Sequence, residues 1–242
     1  MTLPLVAIVA LAFATEAAVG FGGTLIALSL GSLVTSIDVM LPALVPVNMV
    51  LSSAIVLRAP KGVSVRMLAG KVLPAMIVGF PVGLVAFERL PRTALQLAFA
   101  AFVFVLAALE LARMGRRAGA DRAPSPRLST ALLVAGGVAH GAFATGGPPV
   151  VYVCARTLPD KTGFRATMSA LWLVSNAILV TAYAVAGRIT LGTLRDSALL
   201  VPGLAAGLVV GDLLHGRIPE RSFRAFVFAL LLVVAVVLAA RA

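Results

Sequence analysis

Charged residues divide the chain into uncharged, mostly apolar runs at 17–37, 39–57, 72–87, 93–109, 141–155, 166–187, 197–211 and 225–240, with shorter apolar stretches at 3–15 and 128–139. Most approach the roughly 20 residues that a helix needs to cross a hydrocarbon core about 30 Å thick. Each half reads as one interrupted segment followed by three ordinary spans. In the first half, 3–21 breaks into 24–36, and spans follow at 39–57, 72–87 and 93–111. In the second, 129–145 breaks into 148–155, with spans at 166–186, 197–214 and 224–240. At 1.5 Å per residue the stretch 24–36 reaches only about 20 Å, so it is predicted to be a half-helix. These elements predict an all-α integral membrane protein, a polytopic helical bundle.

The two halves are related in sequence. Glu16-Ala-Ala-Val-Gly-Phe-Gly22-Gly23 aligns without a gap on His140-Gly-Ala-Phe-Ala-Thr-Gly146-Gly147, an offset of 124 in a chain of 242 residues. The same offset carries Gly79 onto Gly203, Gly83-Leu84-Val85 onto Gly207-Leu208-Val209, and Glu88 onto Asp212. A slip of one residue pairs Ser52-Ser53-Ala54-Ile55 with Ser175-Asn176-Ala177-Ile178. Internal duplication in an apolar chain is a mark of transporters. The expected organisation is one membrane domain over 1–242, with repeat 1 at about 1–112, a linker at 113–127 rich in Arg, Gly, Ala and Pro, and repeat 2 at about 128–242.

Composition agrees with a membrane setting. Hydrophobic residues make up 61% and charged residues 12%, against about 25% charged in soluble domains, and the mean hydropathy is +1.08. The net charge of +11 raises the question of nucleic acid, but the basic residues sit in loops between apolar spans, which is a topology signal. If 58–71, the linker, 156–165 and 217–224 face the cytoplasm, that side holds fifteen of the 20 Lys and Arg, leaving Arg89, Arg92, Arg188, Arg195 and Arg241 outside. This bias requires an odd number of passes per half, counting the broken segment as two arms. The halves then lie in the membrane as inverted repeats. The N-terminus lacks a basic start and a small-residue cleavage site, so Leu3 onward is expected to be a retained helix. The single cysteine, Cys154, and the absence of a Cys/His cluster suggest neither a disulfide nor a metal site, and no cofactor is expected. No Ser/His/Asp or Cys/His set points to an enzyme.

Candidate chemistry concentrates at the breaks. Gly20, Gly22 and Gly23 weaken the first helix, and Thr24 opens the next. In Thr145-Gly146-Gly147-Pro148-Pro149, two prolines at a helix start prevent the preceding helix from continuing. A half-helix start aims unpaired N–H groups and a positive dipole end toward the break, an anion-binding arrangement. The same glycines would also suit close helix packing. Glu16 and His140 lie just before the two breaks, at duplicated positions, and are candidates for proton coupling. The bland role for either is to brace a neighbouring helix. Asn48 and Asn176, inside the spans that follow, serve either a cavity or interhelical bracing. The expected substrate site is therefore Gly22, Gly23, Thr24, Asn48, Thr145, Gly146, Gly147 and Asn176. Trp172 is read as packing, Asp38 and Asp212 as interfacial, and Arg58, Lys61, Arg66 and Lys71 as topology determinants that contact lipid headgroups.

With these residues laid out, the chain resembles the sulfite exporter TauE/SafE family over both halves. Thr15-Glu16-Ala17-Ala18-Val19-Gly20-Phe21-Gly22-Gly23 is similar to that family's apolar run, acidic residue and glycine cluster, and Val47-Asn48 resembles its Thr-Asn element in the asparagine alone. Gly146-Gly147 followed by Pro148-Pro149-Val150-Val151-Tyr152 matches the second-repeat cluster, although Ala144 stands where a glycine is frequent. Phe21 and Thr24 interrupt the longer glycine run of the first cluster. The resemblance implies a transporter moving small anions, often sulfite or organosulfonates, outward across the bacterial inner membrane; the expected partners are the small anion and the lipid bilayer, with no nucleic acid. A channel-like conductor of the same fold, or a non-transporting scaffold, is the alternative.

Overall fold

The structure, a computed structural model, describes residues 3–115, 124–158, 161–214 and 220–241. Most of the expected linker therefore lies outside the described residues. Within them the chain forms helices α1 (Leu3–Val19), α2 (Gly23–Gly31) and α3 (Ile37–Arg58). There follow α4 (Val65–Arg89), α5 (Arg92–Gly115), α6 (Pro126–Phe143), α7 (Gly147–Cys154), α8 (Lys161–Val185), α9 (Leu191–Leu214) and α10 (Glu220–Ala240), with no strand among the described residues. Five of them (α3, α4, α8, α9 and α5 over Arg92–Ala112) are long and apolar enough to cross a membrane. The chain is a multi-pass, all-α membrane protein.

The half-helix α2 is shorter than 24–36, ending at Gly31 after nine residues, or about 14 Å. Ser36 then takes an extended conformation as the residue before α3, whose first turn carries Asp38, a favourable charge at a helix start. In α4 the residues Leu68–Val72 form a π-turn. Pro74 follows it, and widening the turn eases the clash of the proline ring with the carbonyl four residues back.

Both breaks reverse the chain. A Cβ on Gly23 would meet Glu16 Cβ and Phe13 Cδ1 at 2.8 Å each, and one on Gly31 would meet Leu5 Cδ2 at 3.7 Å, so α2 returns along α1. Val150 likewise lies over Gly136, so α7 returns along α6.

The helices then pair across the halves, α4 with α6, α1 with α9, α5 with α10 and α3 with α8. Small residues allow the first two pairs to approach to backbone contact. Gly79 and Gly83 of α4 lie on the carbonyls of Val134 and Val138, while Gly137 and Gly141 of α6 lie on those of Met76 and Phe80. In α9, Gly203, Gly207 and Gly211 lie on the carbonyls of Val6, Ala10 and Ala14 of α1. Each pair therefore runs in the same sense. In a bilayer such close approach supplies the dispersion energy that the hydrophobic effect does not. The two ladders differ by one helical turn: under the 124 offset Gly79 on Val134 would predict Gly203 on Ala10, but Gly207 takes that place.

Ion pairs tie the helix ends. Arg188, after α8, donates to both oxygens of Glu88 at the end of α4, at 2.6 and 2.8 Å. This bond holds the guanidinium above its ordinary pKa. Arg92 pairs with Asp38 at 2.9 Å. Asp212, the duplicate of Glu88, receives Arg58 from the end of α3 and Arg165 from the start of α8. The interfacial reading of Asp38 and Asp212 thus becomes a specific one: each anchors the ends of separate helices.

Candidate functional site

The first break holds Gly20 at φ +91° and Gly22 at φ +95°, a left-handed region open to glycine. At the duplicated position of Gly20 stands Ala144, at φ +50° and with its N–H bonded to the His140 carbonyl at 2.8 Å. Alanine in that region costs about 1–2 kcal/mol, of which glycine's greater freedom in the unfolded chain returns about 0.4–1 kcal/mol. Ala144→Gly is accordingly expected to raise the melting temperature of the detergent-solubilised protein, by up to about 1 kcal/mol in stability. A lower melting temperature would show that the alanine methyl contributes more by packing than its backbone costs.

Between the breaks lies one small cavity of about 20 Å³, lined by Glu16, Gly22, Thr24, Leu25, Asn48, His140, Ala144, Thr145, Gly147, Trp172 and Asn176. That volume admits about one water molecule, so the conformation is closed around its polar centre. Asn48 is the hub. Its Nδ2 donates to Glu16 Oε1 and Oε2, both at 2.9 Å, and to Thr24 Oγ1 at 3.2 Å. Its Oδ1 accepts from Asn176 Nδ2 at 2.8 Å and Ser52 Oγ at 3.2 Å. The N–H groups of Gly23 and Thr24, the start of α2, face the Glu16 carboxylate. The anion expected at the first half-helix is thus, in this conformation, the protein's own.

At the positions related by the offset of 124, the second half carries different chemistry. His140 duplicates Glu16, and Trp172 duplicates Asn48. Imidazole and indole stack with centroids 5.7 Å apart and planes 12° apart, and Trp172 Nε1 donates to the Gly20 carbonyl at 3.1 Å, tying α8 to the opposite break. His140 is buried with the Asn176 side chain as its polar neighbour, and neither its ring nitrogens nor Asn176 Oδ1 makes a hydrogen bond of full geometry among the described residues. Buried polar atoms left unpaired are costly. Here they lie on the wall of one cavity.

Eight of the ten residues expected at the site or in proton coupling line that cavity: Glu16, Gly22, Thr24, Asn48, His140, Thr145, Gly147 and Asn176. Gly23 and Gly146 do not. Gly23 is pressed against Glu16 and Phe13, and Gly146 against the Gly136 carbonyl and, at 3.2 Å, His140 Cβ. Both hold the hairpins shut. Trp172, read as packing, is on the cavity wall, and its place at the duplicate of Asn48 was the signal for it. Ser52 stood in the offset alignment and Ala144 as a departure from the glycine cluster, whereas Leu25 carried no signal.

Compared with known proteins, a family model described as Sulfite exporter TauE/SafE matches residues 5–238. No curated protein and no solved structure matches the chain.

Proposed function

The chain belongs to the sulfite exporter TauE/SafE family, and from this premise, which makes it a membrane transporter of the anion-exporter type, we propose that it carries a small oxyanion such as sulfite or an organosulfonate through the cavity between the two breaks. The observation that carries the reading is the convergence of two half-helix starts, Glu16, His140, Asn48 and Asn176 on that one cavity. The anion would meet the N–H groups of α2 and α7 and the unpaired nitrogens of His140. The α7 start offers fewer N–H groups, because Pro148 and Pro149 have none.

Two inverted repeats in one domain, in the bacterial inner membrane, supply the machinery. The Glu88–Arg188 pair joins the ends of α4 and α8, whereas Asp212 joins the end of α9 to the start of α8. This arrangement favours opposite senses for the duplicated helices α4 and α9. Access alternates as the repeats slide, and the one-turn difference between the glycine ladders, about 5.4 Å, is the displacement that exchanging their registers would require.

Glu16 couples the anion to a proton. A carboxylate and a substrate anion compete for the α2 N–H groups, and protonating Glu16 yields them to the substrate. The test uses sulfite, sulfate, thiosulfate and methanesulfonate in thermal-shift and counterflow assays on the purified protein. Saturable exchange of at least one is expected, and the reading fails if none shifts or exchanges. With methanesulfonate, whose own charge is constant from pH 5 to 8, wild-type affinity should weaken as pH rises. In Glu16→Gln it should be severalfold tighter at pH 8 and flat across the range. Parallel profiles for the two proteins would make Glu16 a structural brace, and flux that does not saturate and that no gradient of a second ion drives into accumulation would favour the channel-like alternative.

A further inference from the structure

We infer that Arg165 is a second anion-contacting residue, which captures the substrate on its way to the cavity from one face of the membrane only, with Asp212 as its displaceable counter-ion. The inference rests on the transport reading above and adds a residue outside the cavity. It starts from charge. On the face where α4 and α8 end, Glu88 and Arg188 pair one to one, with two hydrogen bonds. On the face where α9 ends, the single carboxylate of Asp212 serves two guanidinium groups, Oδ2 receiving Arg58 and Oδ1 receiving Arg165. Among the described residues that cluster has one positive charge more than its acid neutralises.

The surplus is placed toward the interior. The Arg58 side chain is 57% exposed and that of Arg165 only 13%. Arg165 Nε is buried with no hydrogen-bond partner among the described residues. A guanidinium presents five donors in a planar fork matched to an oxyanion, and a buried one left partly unpaired is a site where a second anion is favoured.

Its position is against the first break. A Cβ on Gly20 would lie 3.0 Å from Arg165 Cα, so the first break rests directly on this turn of α8. Two turns further along α8, Trp172 holds the Gly20 carbonyl and forms part of the cavity wall. One residue, Gly20, thus touches both Arg165 and the cavity's indole. Exposure falls from Arg58 through Asp212 to Arg165, and Gly20, packed on Arg165, is bonded to Trp172 on the cavity wall.

The duplication supplies the contrast. Offset by 124, Arg165 corresponds to Leu41, which is fully buried in an apolar cluster that also contains Ala144, the counterpart of Gly20. The approach past one break is cationic, and the equivalent place by the other is hydrocarbon. An asymmetry of this kind sets different apparent affinities for the anion at the two faces without altering the binding cavity itself.

The experiment is sulfite counterflow from each face separately, at fixed pH, in proteoliposomes of established orientation. Arg165→Gln is expected to raise KM about tenfold at the Arg165 face, the size of one lost charge-assisted hydrogen bond, and less than about twofold at the other. Asp212→Asn, which removes the competing carboxylate, should lower KM at the Arg165 face alone. Arg165→Lys keeps the charge without the fork and should fall between wild type and Arg165→Gln, which keeps the inference testable if the Gln protein does not assemble. Equal KM changes at both faces, or none at either, would overturn it. Asn176→Ala separates the two readings: if it abolishes counterflow from both faces while Arg165→Gln has no sided effect, the cavity stands and the capture residue falls. If wild type shows no saturable sulfite flux, the transport reading itself has failed.

Discussion

Replacing Asn48 by leucine is expected to abolish anion exchange and to remove about 3–5 kcal/mol of stability, the range for stranding a buried charged partner. Asn48 is 2% exposed and bonds Glu16, Thr24, Ser52 and Asn176 at once. Leucine has the same branched heavy-atom skeleton with bulkier methyl ends, so none of the loss would come from a cavity, and overpacking adds to it. The cost comes from the partners. Glu16 loses its side-chain donor, and the Ser52 hydroxyl and Asn176 amide lose their acceptor, each at about 1–3 kcal/mol when buried and unpaired. Melting of the detergent-solubilised protein and counterflow on the same preparation check both parts. The network would be only a brace if Asn48→Leu melted several degrees lower yet exchanged anions at the wild-type rate. It would be neither brace nor site if both measurements were unchanged.

The second large effect is on assembly. A Cβ at Gly83 would fall on the Val138 carbonyl oxygen and 2.7 Å from Ala142 N, atoms of the α6 backbone that no rotamer change moves aside. Gly83→Val is therefore expected to prevent α4 from seating on α6, a loss beyond the usual 1–3 kcal/mol of overpacking, and to leave little folded protein in fluorescence-detected size exclusion. Gly70, in the same helix, has nothing within 4 Å of an added Cβ. Gly70→Ala should be neutral or stabilising by up to about 1 kcal/mol, as for a helical glycine. Equal recovery of the Gly83→Val and Gly70→Ala proteins would show that the two helices do not depend on close approach.

These two substitutions also separate two classes of information. The apolar runs, the two breaks and the duplicated Glu16 and His140 were legible from the residues, because helix length in a bilayer, glycine and proline geometry, and charge avoidance are local rules. Resemblance added the family, which the match over 5–238 bears out. The reversal of the chain at each break was not legible, since a Gly-x-Gly stretch permits a kink as readily as a hairpin and only the packing of α2 on α1 selects one. Nor was the division of the glycines. Gly22 and Gly147 line the cavity, whereas Gly23 and Gly146, their sequence neighbours, are packing surfaces. One residue is about 100° of helix, and which side it faces depends on a partner far away in the chain.

The sequence by itself therefore determined the membrane environment, the number and kind of helical segments, the position of the breaks and the pairing of an acid with a histidine across a duplication. Each of these follows from residue chemistry read over a few turns. Only the tertiary structure decided that Asn48 joins Glu16 to Asn176 across 128 residues, that Trp172 grips Gly20 in the opposite half, and that Arg165 and Arg58 share one aspartate. Those contacts come from helices far apart in the chain. What brings them together is the backbone approach of α4 to α6 and of α1 to α9, a sum of many small packing energies to which no single stretch of sequence commits the chain.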